Sequence, residues 1–113
     1  MSVYFDLEGH PIPVDQWAAV LFESTDRVVG SWVSPDDAVR VSTVWLGLNH
    51  RRWGDGPPLI FESMQFGGAH DLEAERYSTE EQVRRGHESW VARARLESQT
   101  FAEAADVVDR VEL

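Results

Sequence analysis

Residues 39–48, VRVSTVWLGL, carry the strongest strand pattern in the chain, and the rest of the fold can be worked out from them. β-Branched and aromatic side chains dominate this segment, as is typical of strands. The face opposite Trp45 begins with polar residues and ends with apolar ones, which predicts a central strand covered on both sides at its far end. Alternation places five residues on the first face: Val39, Val41, Thr43, Trp45 and Gly47.

The neighbouring segments extend this strand into a sheet. Residues 27–34 (RVVGSWVS) have a similar composition, and the turn residues SPDD at 34–37 predict a hairpin between the two strands. Residues 49–58 (NHRRWGDGPP) contain two glycines and two prolines, which predicts a loop. Residues 59–66 (LIFESMQF) alternate again and predict a third strand, and residues 71–77 predict a more polar edge strand.

Two helices are predicted. Asp15 is a candidate N-cap for an amphipathic stretch that ends near Ser24. Ser78 and Glu81 have the spacing of a capping box, which predicts a longer helix from residue 79 to about 99. Gly86 costs that helix about 1 kcal/mol relative to alanine, so close packing is expected there. The apolar face of the helix carries Val83, His87, Trp90, Val91 and Ala94.

The predicted fold class is α+β, with an antiparallel sheet of about four strands packed on a short N-terminal helix and a longer C-terminal helix. The alternation of Val3, Phe5 and Leu7 adds a strand that residues 11–14 join as an N-terminal hairpin. We expect residues 1–113 to form a single globular domain. Residues 100–113 should either extend the late helix or form an acidic C-terminal extension that docks through Phe101, Val107 and Val108.

The composition excludes several classes of function. The chain has 113 residues and no cysteine, which excludes disulfide scaffolds, thiolate metal sites and cysteine nucleophiles. Its formal net charge is −10, and an acidic surface repels nucleic-acid backbones and anionic lipid. No apolar run approaches the roughly 18 residues that cross a bilayer. We expect a cytoplasmic protein that does not bind nucleic acid in general or membranes.

The loop at 49–58 is the first candidate site. Adjacent Arg51 and Arg52 offer planar donors for phosphate or carboxylate, Trp53 offers a stacking face, and His50 lies at the strand end. These four residues, with Arg76 and Tyr77 from the edge strand, form the predicted ligand-binding set. The expected partner is a small anionic ligand or a host protein. The alternative is an ordinary surface loop whose arginines offset the acidic field.

Catalysis is the competing hypothesis. A small hydrolase-like enzyme would use His50 or His87 with Glu62, and it would need a deep pocket that brings a histidine and a carboxylate together. No serine has the context of a hydrolase nucleophile. No histidine pair has helical metal-ligand spacing, so neither a metal nor a cofactor is predicted.

Three of the five tryptophans are predicted to lie in the core, and the other two are candidates for a binding surface. Trp17, Trp45 and Trp90 fall on faces that are predicted to be buried. Trp32 and Trp53 are harder to place inside the core. Because tryptophan is enriched at interface anchors, they would mark a binding or dimer surface if exposed. A homodimer is therefore left open.

Three segments of the chain resemble a group of small uncharacterised proteins of actinobacteria and their phages. They are TVWLGL at 43–48, GPPLIFES at 56–63 and RYSTEE at 76–81, within a match over roughly residues 42–90. The group has no established activity, so the resemblance implies an origin and no mechanism. The basic passage at Arg51, Arg52 and Trp53 departs from the group, which makes any ligand role of these arginines particular to this chain.

These observations favour a non-catalytic binding protein. By analogy with other short, acidic phage proteins, a phage origin would make this an accessory protein that sequesters a nucleotide-like ligand or blocks a host protein such as a defence component. Two alternatives stay open, the small enzyme and an acidic decoy that mimics nucleic acid. The decoy would need carboxylates clustered on one face, whereas the excess of acids is spread evenly along the chain.

Overall fold

The computed structural model describes residues 3–24 and 27–111, with side chains described as far as residue 100. It confirms the α+β class: one antiparallel sheet packs against a short N-terminal and a longer C-terminal helix. Each strand pairs with the next along the chain. The elements are α1 (Val14–Glu23), β1 (Val28–Val33), β2 (Arg40–Trp45), β3 (Phe61–Phe66), β4 (Ala74–Tyr77) and α2 (Glu80–Val111).

The predicted alternation along β2 is confirmed by burial. Val41, Thr43 and Trp45 are almost completely buried, whereas Arg40 on the other face is exposed. β2 and β3 pair along their whole length, from Arg40 opposite Phe66 to Trp45 opposite Phe61. Since paired residues share a face, the buried face continues across β3 through Phe61, Ser63 and Gln65.

Helix α2 covers this buried face and runs against the direction of β2. Val83 packs in a cluster with Trp45, His87 hydrogen-bonds Thr43, and Ala94 packs in a cluster with Val39. Steps of three or four residues along the helix therefore match steps of two along the strand. The helix face predicted from residues 83–94 is the face that packs on the sheet.

The sheet is much shorter than the helix. Six-residue strands span about 20 Å, whereas the 32 residues of α2 span about 48 Å. Glu97 reaches the turn after β3, where its carboxylate accepts from the amide of Ala69. We call residues 80–97 the sheet-packed segment of α2 and residues 98–111 its projecting segment.

The helix boundaries correct three predictions. Helix α1 begins at Val14 with Pro13 as N-cap and no side-chain cap, so Asp15 lies in the first turn and is not the cap. The capping box of α2 is shifted by one residue from Ser78 and Glu81 to Thr79 and Gln82. The amide of Gln82 bonds Thr79 Oγ1 at 3.1 Å, and Gln82 Oε1 accepts from the amide of Thr79 at 3.2 Å.

The third correction concerns where α2 ends. The helix does not stop near residue 99 but continues to Val111, so the first of the two alternatives for the following residues, extension of the helix, is confirmed for residues 100–111. The predicted docking of Phe101, Val107 and Val108 concerns side chains outside the described set. Within the described residues, neither helix combines the length and the hydropathy that a bilayer-spanning segment needs.

The N-terminal segment folds back as predicted but forms isolated bridges rather than regular strands. Phe5 bridges Pro11, and Tyr4 bridges Leu48 beyond the end of β2. Prolines lack the amide that a ladder needs, which explains why the pairing stays short. Trp17 fixes α1 to this end of the sheet, because its indole donates to the carbonyl of Leu46 at 2.8 Å.

Candidate functional site

An open cleft of about 640 Å³ lies where the loop after β2, the end of β4 and the start of α2 meet. Its lining includes three arginines, Arg51, Arg76 and Arg85, and no carboxylate residue. The chain as a whole has twice as many acids as bases. The charged residues of the cleft lining are therefore all basic, on a protein that is acidic overall. Its other lining residues are Pro57, Leu59, Tyr77, Ser78, Thr79, Gln82 and Gly86.

Arg51 is held in position by its own loop. Its Nε donates to the carbonyl of Pro57 at 2.8 Å, and its guanidinium lies so close to Gly56 that a Cβ there would come within 2.6 Å of it. Asn49 Oδ1 accepts from the amides of Arg51 and Leu59, which joins the two ends of the loop. Among the described residues, the terminal guanidinium nitrogens of Arg51 have no acceptor. A fixed guanidinium with free donors is suited to binding an anion.

The other two arginines of the cleft have carboxylate partners outside its lining. Arg76 Nε bonds Glu62 across the strand pair at 3.0 Å, and Arg85 bonds Glu81 in the preceding helical turn at 2.7 Å. The Arg85 pair is largely exposed and therefore weak, which leaves this side chain free to turn to a ligand.

Tyr77 is one of the lining residues of the cleft, and its hydroxyl has hydrogen-bond partners within the protein. That hydroxyl donates to Glu75 Oε1 at 2.6 Å and accepts from the indole of Trp90 at 3.2 Å. Burial, followed by the bond to Glu75, raises the pKa of Tyr77 to about 12. The phenol thus stays protonated at neutral pH. Gly86 lies on it closely enough that a Cβ would come within 2.2 Å of the hydroxyl oxygen, which confirms the predicted close packing.

Three of the six predicted ligand residues, Arg51, Arg76 and Tyr77, come together in the cleft lining. His50, Arg52 and Trp53 lie outside it. Burial, with a smaller effect of Arg76, lowers the pKa of His50, so its imidazole is neutral at neutral pH. Trp53 is 85% exposed, which leaves it available as a contact surface rather than a core residue.

The histidine and carboxylate pairs of the enzyme hypothesis do not form hydrogen bonds in the described structure. Glu62 bonds Arg76, and His87 Nδ1 instead bonds Thr43 Oγ1 at 2.6 Å. Thr43 in turn bonds Ser63 at 2.7 Å, so His87 belongs to a polar chain between α2 and the sheet. Burial lowers the pKa of His87, which keeps the ring neutral. Its neighbours indicate a structural role.

Arg85 is the cleft residue that the sequence did not indicate. Its spacing from Glu81 is that of an ordinary surface ion pair, which gives no reason to single it out. Its one other signal is its place in the second turn of the helix that follows Tyr77. That position indicates a cleft residue only when the loop after β2 is known to lie beside it.

Within the described residues, no group of three histidine or acidic side chains could hold a metal ion. No family model, curated protein or solved structure matches the chain.

Proposed function

We propose that this protein is a non-catalytic binding protein that holds a small phosphate-bearing anion, such as a nucleotide, in the cleft between Arg51, Arg76 and Arg85. The observation that carries the proposal is the arginine-only charge of the lining on a chain of net charge −10. A volume of about 640 Å³ is in the range of small-molecule sites. Pro57 and Leu59 give an apolar wall for a base or sugar.

Arg51 is the principal anchor in this proposal. Its guanidinium is already ordered by Pro57 and Gly56, so little conformational entropy is lost when an anion binds. Arg76 and Arg85 add charge from the strand and from the helix. Because no acid–base pair lies in the cleft, the proposed role is to sequester the anion and not to convert it. Such a role agrees with the accessory function that the phage resemblance implies.

Calorimetric titration with pyrophosphate, ATP and a cyclic dinucleotide tests the proposal. A hydrogen bond to a charged group contributes about 1.5–3 kcal/mol, so Arg51→Ala should weaken binding about tenfold or more. Arg52→Ala is the matched control, because it removes the same charge from the adjacent position outside the cleft lining. It should change the affinity much less.

Two outcomes would contradict the proposal. The first is that none of the three anions binds to the wild-type chain. The second is equal weakening by Arg51→Ala and Arg52→Ala, which would indicate a diffuse electrostatic effect rather than a site. Release of phosphate during the titration would favour the enzyme hypothesis instead.

A further inference from the structure

The start of α2 carries two ion pairs with the same spacing and different surroundings. Glu80 pairs with Arg84 over one helical turn at 2.7 Å. Glu81 pairs with Arg85 over the same spacing and at the same distance. Glutamate four residues before a basic residue is the favourable order in a helix. Arg85 lines the cleft and Arg84 does not, so one of two matched pairs holds a side chain that the proposed ligand needs.

The two paired arginines of the cleft differ in how readily they can leave their partners. The partner of Arg76 is Glu62, whose side chain is only 15% exposed. Loss of Arg76 would leave this carboxylate poorly solvated and unpaired, which is costly. The side chains of Arg85 and Glu81 are 79% and 75% exposed. Because water can replace either partner there, Arg85 is the paired arginine that a ligand can recruit.

Three backbone amides at the start of α2 already have acceptors within the chain. Gln82 Oε1 accepts from the amides of Ser78 and Thr79, and Thr79 Oγ1 accepts from the amide of Gln82. These amides are therefore occupied, although such groups are the usual donors to an anion at a helix end. Attraction of an anion to this side of the cleft depends on Arg85, the charged residue that α2 contributes to the lining.

We propose that Glu81 regulates the anion site as a built-in competitor, an inference that rests on the proposed function of the cleft. In the free protein Glu81 holds Arg85, and a bound phosphate takes Arg85 from it. A carboxylate carries one negative charge, whereas a terminal phosphate carries about −1.5 to −2 at pH 7. The phosphate therefore gains more from the guanidinium than Glu81 loses, since the released carboxylate is returned to water.

Calorimetric titration with pyrophosphate tests the competitor role. Glu81→Gln removes the competing charge, and it should tighten pyrophosphate binding about twofold to fivefold, which is the upper part of the range for an exposed ion pair. Glu80→Gln is the matched control. It removes the same charge from the same helical turn but releases Arg84, which lies outside the cleft lining. It should change the affinity much less.

The same two substitutions in an Arg85→Gln protein separate the release of Arg85 from a general loss of negative charge. Without Arg85 there is nothing for Glu81 to withhold. Glu81→Gln should then affect pyrophosphate binding no more than Glu80→Gln does. Circular dichroism and thermal unfolding should be alike for the two glutamine variants, because both remove an acid from the first turn of the helix.

The outcomes distinguish this inference from the proposed function. If pyrophosphate binds and Arg51→Ala weakens it, but Glu81→Gln and Glu80→Gln have equal effects, the competitor role is overturned and the proposed function stands. Tightening by Glu81→Gln that persists in the Arg85→Gln protein overturns the competitor role as well. If pyrophosphate does not bind the wild-type chain, the proposed function and the competitor role fail together.

Discussion

The two segments of α2 have the same helical spacing and different surroundings. In the sheet-packed segment, Val83, Trp90 and Ala94 are buried by the protein's own strands. In the projecting segment the spacing repeats beyond the end of the sheet. A repeat of apolar residues therefore specifies that a face must be covered, and it does not specify what covers it. Three predictions test this difference.

The largest effect is expected for a charge in the sheet-packed segment. Ala94 is fully buried against Val39, and an unpaired buried charge costs about 3 kcal/mol or more. Ala94→Asp should therefore unfold the protein or lower its free energy of unfolding by that amount in urea. Ala92→Asp, on the exposed side of the helix, should have a small effect. If Ala94→Asp is tolerated as well as Ala92→Asp, the burial of Ala94 under the sheet is contradicted.

A smaller effect is expected at Gly86, where the helix meets Tyr77. Alanine normally stabilises a helix by about 1 kcal/mol relative to glycine, but here its Cβ would lie 2.2 Å from the Tyr77 hydroxyl oxygen. Overpacking of this kind costs about 1–3 kcal/mol, so Gly86→Ala should destabilise the protein in thermal unfolding. The control is Ala92→Gly at an exposed position of the same helix, where alanine should be more stabilising than glycine by the usual amount of about 1 kcal/mol. A stabilised Gly86→Ala protein would contradict the close packing.

The smallest effect is expected from the protonation of His87. Burial lowers its pKa below the usual value of about 6.5. As the pH falls below 6.5, the unfolded chain takes up a proton that the folded chain resists, so the free energy of unfolding decreases until the folded pKa is passed. His87→Gln should reduce this decrease between pH 7 and 5, measured by urea unfolding.

His50 has a pKa lowered in the same direction, so the variant His50→Gln separates its share of the pH dependence. An unchanged slope in His87→Gln would show that the bond to Thr43 is not sensitive to protonation.

Most of the fold followed from residue patterns. Alternation along residues 39–48 placed Val41, Thr43 and Trp45 on the buried face, and helical spacing placed Val83 and Trp90 opposite them. The helix start was wrong by one residue, because Ser78 with Glu81 and Thr79 with Gln82 both have the spacing of a cap. The side-chain amide of Gln82, which accepts from both Ser78 and Thr79, favours the later start.

The candidate site was predictable in part. Arg51 was found because glycines and an adjacent arginine mark its loop, and Arg76 and Tyr77 because they end the neighbouring strand. Arg85 was missed, since its partner Glu81 makes it resemble any surface pair. The sequence also could not show that Arg51 lines the cleft and Arg52 does not. That difference depends on the bond to Pro57 and on the missing side chain of Gly56, which together fix one guanidinium and not the other.

The sequence by itself determined the elements, their buried faces and the acidity of the surface, because periodicity and composition are local properties. Only the tertiary structure decided that three arginines far apart in the chain meet at one end of the sheet. The tertiary structure also decided that α2 extends beyond the strands at the other end of the sheet. Both depend on how far a strand and a helix advance per residue, about 3.3 and 1.5 Å, and on where packing aligns them. The sequence determines which face of each helix and strand is buried, and the packing of these elements determines which residues come together.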